Sequence, residues 1–208
     1  MHRGKMNSII KAITMNKHLL IITLLALGGL LQAQENCFDY NAAIKQKEGL
    51  HSMDSMFAAD RIFLAGMKGC AFPGEELFNL EGGKFNIGQL KGDLVFVSFW
   101  FASCHPCVEE APEIVRLSQK YAGKKVKFLN ITFEQKKTLL DFLTEHKMPG
   151  VIQTYQDREV LEKKFCAVFG FPMCMLLDKN GKVIEAWSGG FPADEFYKKV
   201  NTLISNNL

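Results

Sequence analysis

Cys104 and Cys107, two residues apart in the run from Ser98 to Pro112, are the side chains of this 208-residue chain best placed to do chemistry. Disulfide exchange needs a reachable thiolate to attack a sulfur and a second thiol close by to resolve the mixed disulfide. A Cys-x-x-Cys pair at a helix start supplies both. Cys104 is then expected as the exposed attacker and Cys107, one turn inward, as the resolver. At that position the first helical N–H groups lack intrahelical partners and the positive end of the helix dipole favours a thiolate over a thiol. Between the sulfurs, a protonated His105 would favour the thiolate and make the protein more oxidising, unless it is only a solvated spacer. Pro106 fits the first helical turn but removes an N–H that could have stabilised the thiolate, so the two act in opposite directions.

Glu110 separates from its neighbours on a helical wheel. Glu109, Glu113, Arg116 and Lys120 share a polar stripe, whereas Glu110 falls among Ile114, Leu117 and Tyr121. A carboxylate aimed at a core is costly unless paired or protonated, and one placed three residues after Cys107 reaches toward the resolving sulfur. Glu110 is therefore expected to take the proton from Cys107; the alternative is that Pro112 kinks the helix and turns it to solvent. Two competing chemistries fail on spacing. A zinc site lacks its second Cys-x-x-Cys or His pair, and covalent haem attachment lacks a His at position 108. No cofactor or resident metal is expected. A Cu(I)-binding or delivery module using Cys104, Cys107 and His105 stays as the alternative to an enzyme.

These residues need an element before them and one after. Positions 94–101 form an apolar, aromatic run of strand type, and the sequence turns to helical spacing from Cys107 to about Tyr121. Upstream, Leu77, Phe78 and Leu80, then Gly82-Gly83, Phe85 and Ile87 read as a hairpin. Downstream the pattern predicts a strand over 126–132, a helix over 138–146, a strand from Val151, a helix from Val160 and a strand over 174–177. A turn at 178–181, a strand over 183–187 and a last helix over 193–204 complete it. Such alternation implies an α/β fold, a central mixed sheet with helices on both faces and an antiparallel hairpin at its end. Residues 34–72 read as an N-terminal extension. Two short helices there, around 42–44 and 53–64, have weakly marked caps.

The first 33 residues look like an export signal: Lys17-His18 precedes an apolar run over 19–31, with Ala33 available for cleavage. The run is shorter than the roughly 20 residues that span a bilayer comfortably, so an uncleaved anchor is the lesser reading. Residues before Cys37 are not small enough for a lipoprotein site. Residues 1–33 carry Arg3, Lys5, Lys11 and Lys17 with no acid, so the net charge of +3 becomes −1 without them. Neither nucleic acid nor an anionic membrane surface is implied as a partner.

Phe99-Trp100-Phe101-Ala102-Ser103-Cys104-His105-Pro106-Cys107 with Glu110 and Pro112 resembles the active-site segment of exported thioredoxin-like oxidoreductases of the TlpA/ResA type. Leu90-Lys91-Gly92-Asp93, and Val168-Phe169-Gly170-Phe171-Pro172 followed by Met175-Leu176-Leu177-Asp178 and Gly181, match the same family. The resemblance implies a thioredoxin-like fold over 73–208 and thiol-disulfide oxidoreductase activity in a periplasm. It also implies that Pro172 is the family's cis-proline, that Glu110 is the acid/base, and that Ser98 stands where thioredoxins carry a buried aspartate. The partners implied are cysteine-containing exported proteins and a membrane or exported thiol donor. Ser103, Phe171 and Met173 depart from the pattern, which bears on substrate preference. A peroxidase is disfavoured, because its threonine and arginine partners around a lone cysteine are not evident. Of the remaining cysteines, Cys37 with Cys70 is the preferred structural disulfide; Cys166 and Cys174 fit buried free thiols as well as a bridge.

Overall fold

The computed structural model describes residues 37–208, so the expected leader over 1–33 lies outside the described residues. Seven strands form one sheet in the order β2-β1-β5-β4-β3-β6-β7. Its centre is β3 (Leu94–Trp100), whose β-branched and aromatic residues are buried on both faces. β3 pairs in parallel with β4 (Val126–Thr132), and β4 in parallel with β5 (Val151–Tyr155). The remaining strands run antiparallel: β6 (Met173–Leu177) against β3, β7 (Val183–Ser188) against β6, and the hairpin β1 (Leu77–Asn79) with β2 (Lys84–Phe85) against β5.

Alternation along β3 divides the core in two. Val95, Val97 and Phe99 face one cluster, which takes in Leu64, Leu161 and Phe165 from helices on that side. Leu94 and Phe96 face the other, with Ile114, Leu117, Phe196, Val200 and Ile204. The second face is covered by α3 (His105–Lys120) and α6 (Ala193–Asn207). The first is covered by α1 (Tyr40–Lys47), α2 (Met53–Gly66) and α5 (Arg158–Phe165). Between β4 and β5, α4 (Lys136–Glu145) sets Leu139 and Phe142 beside Trp100. The expected mixed sheet covered on both faces is the one observed.

Several details differ from expectation. Ile87 is not in the hairpin but opens a 3-10 turn, Ile87–Leu90, whose start Asn86 caps by accepting the Gly88 N–H. Helix α4 begins two residues early, at Lys136, because no side-chain cap marks its start. The helices before residue 67 are properly capped: Asp39 accepts the Ala42 N–H and Ser52 accepts the Ser55 N–H. Lys47 holds this N-terminal segment to the loop that precedes β6. Its Nζ lies 2.9 Å from the buried Asp60 carboxylate, donates to the Val168 carbonyl at 2.9 Å and sits over the Phe169 ring.

Candidate active site

Strand β3 delivers the chain to the edge of the core, and after the turn at Phe101–Ser103 the residue Cys104 becomes the N-cap of α3. Its backbone is extended (φ −80°, ψ 99°) and its Sγ accepts the Cys107 N–H at 3.3 Å. Pro106 occupies the first helical turn, where the N–H it lacks would have had no partner in the helix. Cys104 and Cys107 are joined as a disulfide with Cα atoms 5.2 Å apart, so the oxidised pair is the state seen. The expectation of an exposed Cys104 needs correction. Both cysteines are 5 % exposed, because Cys104 shares a small apolar cluster with Trp100, Cys107 and Leu139, against which Phe101 and Phe171 pack. What separates the two sulfur residues is access to a cleft: Cys104 lines an open cleft of about 600 Å³, together with Phe101, Pro106, Phe133, Arg158 and Phe171, and Cys107 does not.

Helix α3 continues through Pro112 without turning Glu110 outward; Glu110 is 1 % exposed, alongside buried Cys107, Ile114 and Leu117. Burial pushes its pKa from 4.5 up to about 7, against hydrogen bonds from the Gly190 and Phe191 N–H groups that pull it down. The Gly190 N–H donates to Oε1 at 2.6 Å, while Oε2 has no hydrogen-bond partner. Gly189 makes this approach possible. A Cβ there would collide with Pro172 Cγ and lie 2.7 and 2.9 Å from the two Glu110 oxygens. The same loop binds the segment before β6, since the Gly189 N–H donates to the Pro172 carbonyl at 2.7 Å.

The Phe171–Pro172 peptide is cis, and Pro172 is buried beside this loop. The structure thus gathers Cys104, Cys107, Glu110 and Pro172 at one end of the sheet. His105 stands apart. Its side chain is 84 % exposed, with Nδ1 3.5 Å from Glu109 Oε1, so a counter-charge lies close to any cation it carries. Ser98 offers no ionisable group beneath the pair. Its Oγ accepts from the Cys174 thiol at 3.9 Å, and burial together with the charge of Glu110 holds Cys174 well above the ordinary thiol range. Cys166 and Cys174 are free and buried, and burial likewise lifts Cys166, to about 12.

The sequence reading missed Gly189, Gly190 and the far wall of the cleft. Ser188-Gly189-Gly190-Phe191-Pro192 after a strand is a turn signal that could have flagged the first two. Phe133 and Glu134 follow the carboxyl end of parallel strand β4, where open α/β sheets place their ligands. Among the described residues, no cluster of three or more His, Cys, Asp or Glu could hold a metal ion, and no helix is long and apolar enough to cross a membrane.

Residues 69–207 match the profile of the AhpC/TSA family. The thiol-disulfide oxidoreductase ResA of Bacillus thuringiensis is 29 % identical over 126 residues, which cover 59 % of this chain and 72 % of that protein. ResA of Bacillus anthracis is 32 % identical over 113 residues, covering 51 % and 61 %. A crystal structure assigned as a thiol-disulfide oxidoreductase from Bacteroides vulgatus superposes with a TM-score of 0.60 at 26 % identity, covering 68 % of this chain and 96 % of that one. The thioredoxin domain of another oxidoreductase from that organism gives 0.57 at 23 % identity, covering 66 % and 97 %, so the fold is thioredoxin-like.

Proposed function

The chain belongs to the AhpC/TSA family and is a thiol-disulfide oxidoreductase, and we propose that it works through the Cys104-His105-Pro106-Cys107 dithiol to reduce disulfides of exported proteins. The observation that carries this reading is the placement of the bonded pair: Cys104 caps α3 and borders the open cleft, while Cys107 lies behind it and Glu110 is buried one turn further along.

In the reduced protein the Cys104 thiolate attacks a client disulfide, forming a mixed disulfide and releasing one client thiolate, which takes up a proton. Glu110, ionised, accepts the proton of Cys107, and the Cys107 thiolate attacks Cys104 Sγ. The second client sulfur leaves as a thiolate and takes up a proton, Glu110 gives up the one it accepted, and the Cys104–Cys107 disulfide remains. Two electrons have passed to the client, and an external thiol donor must return two. A pKa of about 7 suits Glu110 to this exchange, because an acid/base works best when its pKa lies near the operating pH. Pro172 borders the site between the cleft residue Phe171 and the Gly189 loop, and it is given the part of shaping the surface that clients meet. The signal-like residues 1–33 support export, and on this reading clients and donor meet the protein in a periplasm.

Cys104→Ser is expected to abolish exchange, whereas Cys107→Ser should accumulate mixed disulfides with clients that are recovered under non-reducing conditions. Equal trapping by the two variants would refute the assignment of attacker and resolver. The Cu(I) alternative is separated by metal content after purification under reducing conditions: stoichiometric copper without insulin reduction would favour it.

A further inference from the structure

One wall of the cleft takes no part in the thiol chemistry. Phe101, Phe133 and Phe171 form a closed triangle of rings with centroids 5.2, 5.3 and 5.6 Å apart, two of the three pairs edge-on. They come from separate places: just past the end of β3, just past the end of β4, and the residue before Pro172. Each is only partly buried, whereas Phe99 and Phe165 deeper in the fold are fully covered. Aromatic surface left open beside a reactive sulfur is available to whatever approaches that sulfur.

The cation of the cleft is already engaged, while among the described residues the Glu134 carboxylate meets only a backbone N–H. The Arg158 guanidinium lies 5.0 Å over the Phe133 ring, and its Nε donates to Glu162 at 2.7 Å. Glu134 Oε1 accepts the Ala102 N–H at 3.1 Å. An acidic client side chain entering here would lose water without gaining a free counter-charge, while an apolar one would meet three rings.

We propose that this cleft selects clients bearing a large apolar side chain, an aromatic one above all, next to the cysteine under attack, with that side chain against the Phe101–Phe133–Phe171 triangle. The inference rests on Cys104 being the attacking thiol.

The test uses the reduced protein and blocked peptides, each with one cysteine held as a mixed disulfide with thionitrobenzoate and flanked by Phe, Leu, Ala, Asp or Lys. Release of the coloured thiol gives a rate constant for each. The Phe peptide should exceed the Ala peptide by about tenfold or more, the scale on which apolar contacts discriminate, with Leu between them and Asp lowest. Phe133→Ala should bring the Phe-to-Ala ratio toward one, and Phe133→Leu should retain part of it; a ratio within one protein is insensitive to partial loss of folded material. Equal rates for Phe and Ala, faster reaction with Asp or Lys, or a ratio unchanged in Phe133→Ala would overturn the proposal and leave the oxidoreductase reading intact. Failure to react with any peptide would overturn both.

Discussion

Glu110 shows how one side chain couples stability to chemistry. Its pKa in the fold, about 7, lies above the ordinary 4.5, so the folded state holds this proton more tightly than the unfolded chain does. The stabilisation is fully present below pH 4.5 and is lost as pH rises through 7, by up to roughly 3 kcal/mol for a shift of this size. Glu110→Gln should remove that slope and leave the protein more stable than wild type above pH 7, as denaturant titrations at several pH values would reveal. The same substitution should abolish the rise of the resolving rate with pH near 7, since glutamine accepts no proton; an unaltered pH profile would exclude Glu110 as the base. His105 is the contrasting case. Position 105 is exposed to solvent, which screens a charge placed there, so His105→Glu should lower the reduction potential by less than about 30 mV, read by equilibration against glutathione. A larger shift would return His105 to the mechanism.

At the scale of elements, the site depends on the connection between β7 and α6 as much as on α3. Gly189 permits that connection to lie against Pro172 and Glu110 together, and no side chain fits in its place. Gly189→Ala must push the loop, the proline or the carboxylate aside, at a cost of about 1–3 kcal/mol for overpacking. It should also shift the pH at which the resolving step accelerates, because the Gly190 N–H bond to Oε1 would be disturbed. A variant with wild-type stability and an unmoved pH profile would show that the loop yields freely and does not position Glu110.

For the whole molecule, the question is the direction of electron flow. The helix N-terminus at Cys104 favours the thiolate and thus the reduced form, while Pro106 removes a donor and acts the other way. The expected outcome is an intermediate potential, more reducing than the glutathione pool of a secretory compartment. On the proposed export, such a protein needs a dedicated donor, because exported compartments are oxidising. A measured potential as oxidising as that pool would contradict the reductase reading.

By itself the sequence determined what depends on neighbours along the chain. The two-residue gap between the cysteines, the change from strand to helix at Cys104, the side of α3 on which Glu110 lies and the alternation that splits β3 between two cores all follow from periods of 3.6 and 2. The tertiary structure decided what depends on residues far apart in sequence. Gly190 meets Glu110 across 80 positions, Cys174 meets Ser98 across 76, and the three cleft rings converge from β3, β4 and the approach to β6. No local pattern encodes those meetings, because strand order and register fix them, and a shift of one residue in the β3–β6 ladder would turn Cys174 to the opposite face of the sheet.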